Sequence, residues 1–171
     1  PGWFKESYLF SLRYLLAKLS NKQYLIINLL EAPLLAFILA FIVRYHNVDD
    51  PFTSAYIFSK NLNMPAYFFM SVIVALFMGL SVSAEEIIRD RKILKREAFL
   101  HLSRSSYIFS KIGILFMISA IQTFLFVMVA HYILKIDGML PIHWSILFTA
   151  SCFANLLGLN ISSAFNSAVT I

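Results

Sequence analysis

Asp90-Arg91 and Arg96-Glu97 stand within a twenty-residue run, SAEEIIRDRKILKREAFLHL (83–102), that carries five basic and four acidic side chains in a chain only 13% charged. Neighbouring guanidinium and carboxylate groups make short, directional, charge-assisted hydrogen bonds, so this spacing suits gripping a partner surface that also carries both signs. The plainer reading is a solvated loop whose ion pairs close on themselves. Catalysis is not offered by these residue types, and no nucleophile, base and orienter set occurs elsewhere in the chain. Glu97 and His101 have helical ligand spacing, yet no second histidine accompanies them, which argues against metal. A lone cysteine, Cys152, excludes an internal disulfide and a cysteine-based zinc cluster. The five glycines (Gly2, Gly79, Gly113, Gly138 and Gly158) are scattered, and no Gly-Lys-Ser/Thr sequence exists to cradle a phosphate. Asn160-Ile161-Ser162 matches a glycosylation acceptor but falls in an apolar stretch, where modification is not expected.

The rest of the chain explains where such a charged run must sit. Hydrophobic residues make up 60% of the sequence, against roughly 45–50% in globular proteins, and the mean hydropathy is +0.76. Seventeen Phe, eight Tyr and two Trp exceed what a core of this size could hide from water, so much of this surface is expected to face lipid. An all-α membrane protein follows. The net charge of +5 is then explained by orientation, since cytoplasmic loops accumulate Lys and Arg, and no nucleic-acid partner is expected.

Along the chain, residues 1–23 read as an amphipathic interfacial helix: Phe4, Tyr8, Leu12, Leu15, Leu16 and Leu19 share one face, flanked by Lys5, Glu6, Arg13, Lys18 and Lys22. Packing of this helix on a soluble partner is the alternative. Residues 24–171 then hold four expected spans, at about 32–48, 65–83, 107–134 and 143–168, with a charged loop at 84–106 between the second and third. The first is placed from Ala32 because Pro33 suits a first helical turn and Glu31 suits its positive end; Glu31 as an intramembrane proton or cation site is the functional alternative. Asp137-Gly138 marks a turn between the last two spans. Asn155, Asn160 and Asn166 lead us to expect an irregular or broken end to the fourth. The Pro1-Gly2-Trp3 start and the apolar end suggest a piece of a longer polypeptide.

With the amino terminus in the cytoplasm, Lys5, Arg13, Lys18, Lys22, Arg89, Arg91, Lys92, Lys95, Arg96, Arg104 and Lys111 lie inside, and Arg44, Lys60 and Lys135 outside. That eleven-to-three bias orients the chain and makes the charged run intracellular.

The run from Glu85 to Lys111, EEIIRDRKILKREAFLHLSRSSYIFSK, resembles the loop between the second and third spans of ABC-2 type exporter permeases, especially bacterial relatives of the ABCG and White groups. Asp90-Arg91, Arg96-Glu97, Tyr107 and Ser110-Lys111 carry the likeness, with Asp90 in place of the more usual Glu. The resemblance implies that residues 1–23 are a connecting helix and that the loop is a coupling helix. Asp90, Arg91, Arg96 and Glu97 would touch a nucleotide-binding domain on the same or a separate chain. ATP and Mg would reside on that domain, with no cofactor in this segment. It further implies a homo- or heterodimer of membrane domains embedded in the lipid bilayer of a bacterial inner membrane.

Two stripes of small residues, Ser71-Ala75-Gly79-Ser83 and Ala150-Ala154-Gly158-Ser162, are expected to bury against helices, within the subunit or across a dimer. Gln122, Thr123 and Asn155 are candidates for a substrate path because polar groups are costly toward lipid; interhelical hydrogen bonding is the plainer role. Two rival functions would use the same segments, an ion- or proton-coupled carrier relying on Glu31 and a non-transporting membrane scaffold.

Overall fold

The computed structural model describes residues 3–45, 58–84 and 104–168. Five α-helices and one 3-10 turn make up the described residues, with no strand among them: α1 (Trp3–Ser20), α2 (Lys22–Tyr45), the turn Phe58–Lys60, α3 (Met64–Ser83), α4 (Arg104–Leu134) and α5 (Leu140–Ala168). Helices α2 to α5 are each long and apolar enough to cross a membrane. The expected all-α membrane class is therefore the observed one. In lipid a helix satisfies its own backbone polar groups, which is why apolar runs of this length adopt it.

Two boundaries differ from expectation. Helix α2 begins at Lys22, not at Ala32, and runs through Pro33. Its start is set by Asn21, whose side-chain Oδ1 accepts the Tyr24 N–H at 3.1 Å, the usual N-cap bond. Pro33 has no N–H to give the Leu29 carbonyl, a single missing bond that the helix tolerates. Glu31 consequently sits half-buried in a helix interior and does not cap a helix start. At the other end of the chain, α5 continues unbroken to Ala168 where an irregular end was expected. Asn155 lies within the bundle, bonded to a neighbouring helix, so its polarity does not interrupt the helix it belongs to.

The helices pack in the spatial order α3, α5, α4, α2, with α1 lying against α4. Ala32, Ala36 and Ala40 on α2 are fully buried, as are Ala75 and Met78 on α3, Phe126, Val127, Ala130 and Leu134 on α4 and Leu147 on α5. A smaller cluster of Val82, Leu115 and Leu159 continues the core toward the opposite end. Outward-facing positions on α2 remain large and apolar, among them Leu30, Leu34, Phe37, Phe41 and Ile42. On α1 Tyr8, Leu12, Leu16 and Leu19 are likewise exposed. These surfaces suit hydrocarbon or the lipid interface and would be costly in water.

The turn between α4 and α5 ends α4 with a Schellman motif. Lys135 takes a left-handed φ of 49°, and the Ile136 N–H reaches back to the His131 carbonyl at 3.2 Å while the Ile136 side chain is buried. Gly138, at φ 77°, supplies the second left-handed residue before α5 starts at Leu140. Nearby, Arg44 donates to the Ile133 carbonyl at 2.6 Å, and Asn61 to the Val43 carbonyl at 3.0 Å. The last carbonyls of α4 and α2 are thereby capped by side chains.

Candidate functional site

Three levels of polar structure cross the bundle. At the end where α4 begins, Lys111 is 1% exposed and Lys18 is 8% exposed, unusual depths for an ammonium group. Their Nζ atoms lie 4.2 Å and 5.1 Å from the centre of the Tyr14 ring, one from α4 and one from α1 itself. Lys18 also stands 4.1 Å over the Tyr24 ring and donates to its hydroxyl, and Lys111 is 5.5 Å from the Tyr107 ring. Aromatic faces attract desolvated cations, so this set of rings offsets part of the cost of burial. The outcome is a joint between α1, the start of α2 and the start of α4, built in part by Tyr107 and Lys111 at the end of the charged run.

At mid-bundle, Gln122 Nε2 donates to the Asn28 carbonyl at 3.0 Å, tying α4 to α2. Thr123 returns its hydroxyl proton to the Ser119 carbonyl at 2.7 Å within α4. Ser119 Oγ in turn accepts from Asn155 Nδ2 at 2.7 Å and from Ser151 Oγ at 3.0 Å, both on α5. Gln122, Thr123 and Asn155 thus lie at one depth but engage different partners, Gln122 toward α2 and Asn155 in the seam between α4 and α5. Gln122 Oε1 and Asn155 Oδ1 are buried with no hydrogen-bond partner among the described residues. Each keeps one acceptor available.

Between α3 and α5 the small residues face one another. A Cβ on Gly79 would lie 2.6 Å from the Ser151 carbonyl oxygen and 2.8 Å from Ala154 Cβ; one on Gly158 would run into Ser83 Oγ. Ser71, Ala75 and Ser83 are fully buried along the same face of α3, as are Ala154 and Ser162 on α5, whereas Ala150 is only half-buried at the edge. Ser151 occupies the contact in its place. The α3–α5 contact lies within this chain, with backbones close enough for dispersion to hold them.

At the turn end, His131 of α4, His143 of α5 and Ser71 of α3 form a buried polar chain. His131 Nε2 lies 2.9 Å from His143 Nδ1, and His143 Nε2 lies 3.1 Å from Ser71 Oγ. Sequence reasoning missed this set because the two histidines are twelve residues apart across a turn. Their signal was there: an intramembrane histidine near each side of one short turn. The Ala32-Ala36-Ala40 stripe was missed too, although its four-residue spacing is as clear as that of the stripes on α3 and α5.

Asp90, Arg91, Arg96 and Glu97, together with His101, lie outside the described residues. In sequence they fall between the end of α3 and the start of α4.

Four apolar helices, an interior of small and hydrogen-bonded residues and a lipid-compatible exterior define a polytopic helical membrane protein. The profile of the ABC-2 type transporters matches residues 7–171, and the chain belongs to that family. Comparison with curated proteins and with solved structures returned no match.

Proposed function

We propose that this ABC-2 type membrane domain is the permease part of an ATP-driven exporter, and that the 84–106 loop receives the force. The observation that carries the reading is the family match over nearly the whole chain, with the two acid–base doublets placed between the second and third membrane helices. In this reading Asp90, Arg91, Arg96 and Glu97 engage a nucleotide-binding domain, on the same or a separate chain, which holds ATP and Mg. Charge-assisted bonds resist lateral slip, so movement of that domain is passed to α3 and α4. The buried Lys18–Tyr14–Lys111 joint would pass part of it to α1 and α2.

The working unit is a dimer of such membrane domains in a bacterial inner membrane, with the amino terminus cytoplasmic, as the eleven-to-three distribution of basic residues supports. The substrate path is assigned to the α4–α5 seam and its flank, where Gln122, Thr123 and Asn155 gather and two amide oxygens keep acceptor capacity. Ser119, Ser151 and Asn155 are buried and bonded to one another in that seam, so a path opens there only when the helices tilt.

The decisive experiment measures ATP turnover and transport by the full-length protein in lipid when Arg96 and Glu97 are both replaced by Ala. Loss of transport together with loss of its link to ATP turnover is the expected result. Unchanged rates of both would remove the loop from the mechanism.

A further inference from the structure

We propose that His131, His143 and Ser71 form a proton-sensitive latch, holding the turn ends of α3, α4 and α5 together when the imidazoles are neutral and releasing them on acidification. The two histidines are 5% and 4% exposed and Ser71 is fully buried. Their imidazole rings stack at 5.2 Å with 20° between planes, and the edges of Phe68 and Tyr67 close over His143 at 5.2 Å and 5.6 Å.

The protons on this chain follow from its geometry. Ser71 has one hydroxyl proton, which it donates to the Phe68 carbonyl at 2.7 Å. Toward His143 it therefore accepts, and His143 Nε2 carries the proton of that bond. A neutral His143 then presents only a lone pair on Nδ1, so His131 Nε2–H is the donor across the 2.9 Å contact. A single proton serves the two facing nitrogens. Protonating both rings would put two N–H groups head to head and two positive charges side by side.

No carboxylate is buried beside the pair among the described residues. From α2 the nearest charged group is Arg44, also cationic, bonded to the Ile133 carbonyl two residues from His131. Helix α3 presents the neutral Tyr67 phenol, and α4 and α5 present only the two histidines at this end. Lys60 in the 3-10 turn is exposed, as are Lys135 and Asp137 in the α4–α5 turn.

The sign of the pH effect follows by linkage. In an opened end each histidine titrates near its ordinary value of about 6.5, whereas the closed pair refuses at least one of these protons. Closure is thus fully favoured above that value and weakens as the pH falls below it. Between pH 7.5 and 5.5 the open population should rise about tenfold for each histidine whose protonation closure excludes.

The test is hydrogen–deuterium exchange of the 131–143 segment in the full-length protein in nanodiscs at both pH values, corrected for intrinsic amide rates. In the wild type, protection should fall between about tenfold and a hundredfold at the lower pH. The His131→Gln/His143→Gln double variant should show no such change, and His131→Gln alone, which keeps an N–H donor for His143, a change of about tenfold or less. Wild-type protection that is equal at the two pH values overturns the proposal. An undiminished pH response in the double variant does so too, by placing the titrating group elsewhere, His46 and His101 included.

Discussion

Gly79 and Gly158 illustrate how much of this protein rests on the absence of a single methyl group. At Gly79 the obstacle to a side chain is the Ser151 backbone oxygen, which cannot move without shifting α5. At Gly158 the first obstacle is the Ser83 hydroxyl, which can rotate, although Ser83 Cβ at 3.0 Å remains behind it. Both replacements by Ala should destabilise, Gly79→Ala by about 1–3 kcal/mol and Gly158→Ala by less. Gly113 has open space around its Cβ position on an outward face of α4, so Gly113→Ala should be stabilising by roughly 0.5–1 kcal/mol. Thermal unfolding of the three variants in one detergent checks the order; equal losses at all three would show that close α3–α5 contact is not what selects glycine. The mid-bundle network is of the same kind. Asn155→Ala should cost about 0.6 kcal/mol and at most near 2, because hydrogen bonds between membrane helices contribute modestly. A much larger fall in transport than in stability would place Asn155 on the substrate path.

Among the elements, the ends matter more than the middles. Helix α4 stops where Lys135 adopts a left-handed conformation that costs a residue with a Cβ about 1–2 kcal/mol. Lys135→Gly should relieve this strain and raise stability by up to about 1 kcal/mol, the remainder being lost to greater freedom of the unfolded chain. An unchanged or lower melting temperature would show that the lysine side chain contributes something its exposed position does not reveal. Arg44 makes a complementary case. Its bond to the Ile133 carbonyl joins the end of α2 to the end of α4, and Arg44→Ala should cost about 1–3 kcal/mol by leaving that carbonyl without its partner. Both residues border the turn beside His131, so the two variants should also alter amide exchange there in opposite directions.

For the whole molecule, a close-packed α3–α5 pair stands beside the α2–α4 pair, with polar groups concentrated at mid-bundle and at both ends. A force applied to the segment between α3 and α4 would enter both, one helix from each pair. Replacing Lys111 by Met removes the cation beside Tyr14 while keeping the length of the side chain. In the full-length protein it should leave ATP turnover within about twofold while reducing transport at least fivefold, a split expected of a joint that passes movement between elements. Parallel losses of both activities would make Lys111 a stability residue only.

Composition and hydropathy alone were enough for the all-helical membrane class, for four apolar segments and for the turn at Asp137-Gly138, because lipid leaves a long apolar run few alternatives to helix. The four-residue spacing of Ser71, Ala75 and Gly79 marked a close-packed face, and the Glu85–Lys111 pattern pointed to the family that the profile match establishes. The start of α2 was misjudged because Glu31 and Pro33 look like helix-start residues, while Asn21 acts as the local cap. Tertiary structure alone decided which stripe meets which, that Ser151 and not Ala150 faces Gly79, and that His131, His143 and Ser71 converge from three helices. Spacing along a chain reports which residues share a face of one helix; which faces meet depends on the rotation and crossing of separate helices, and no single segment encodes these.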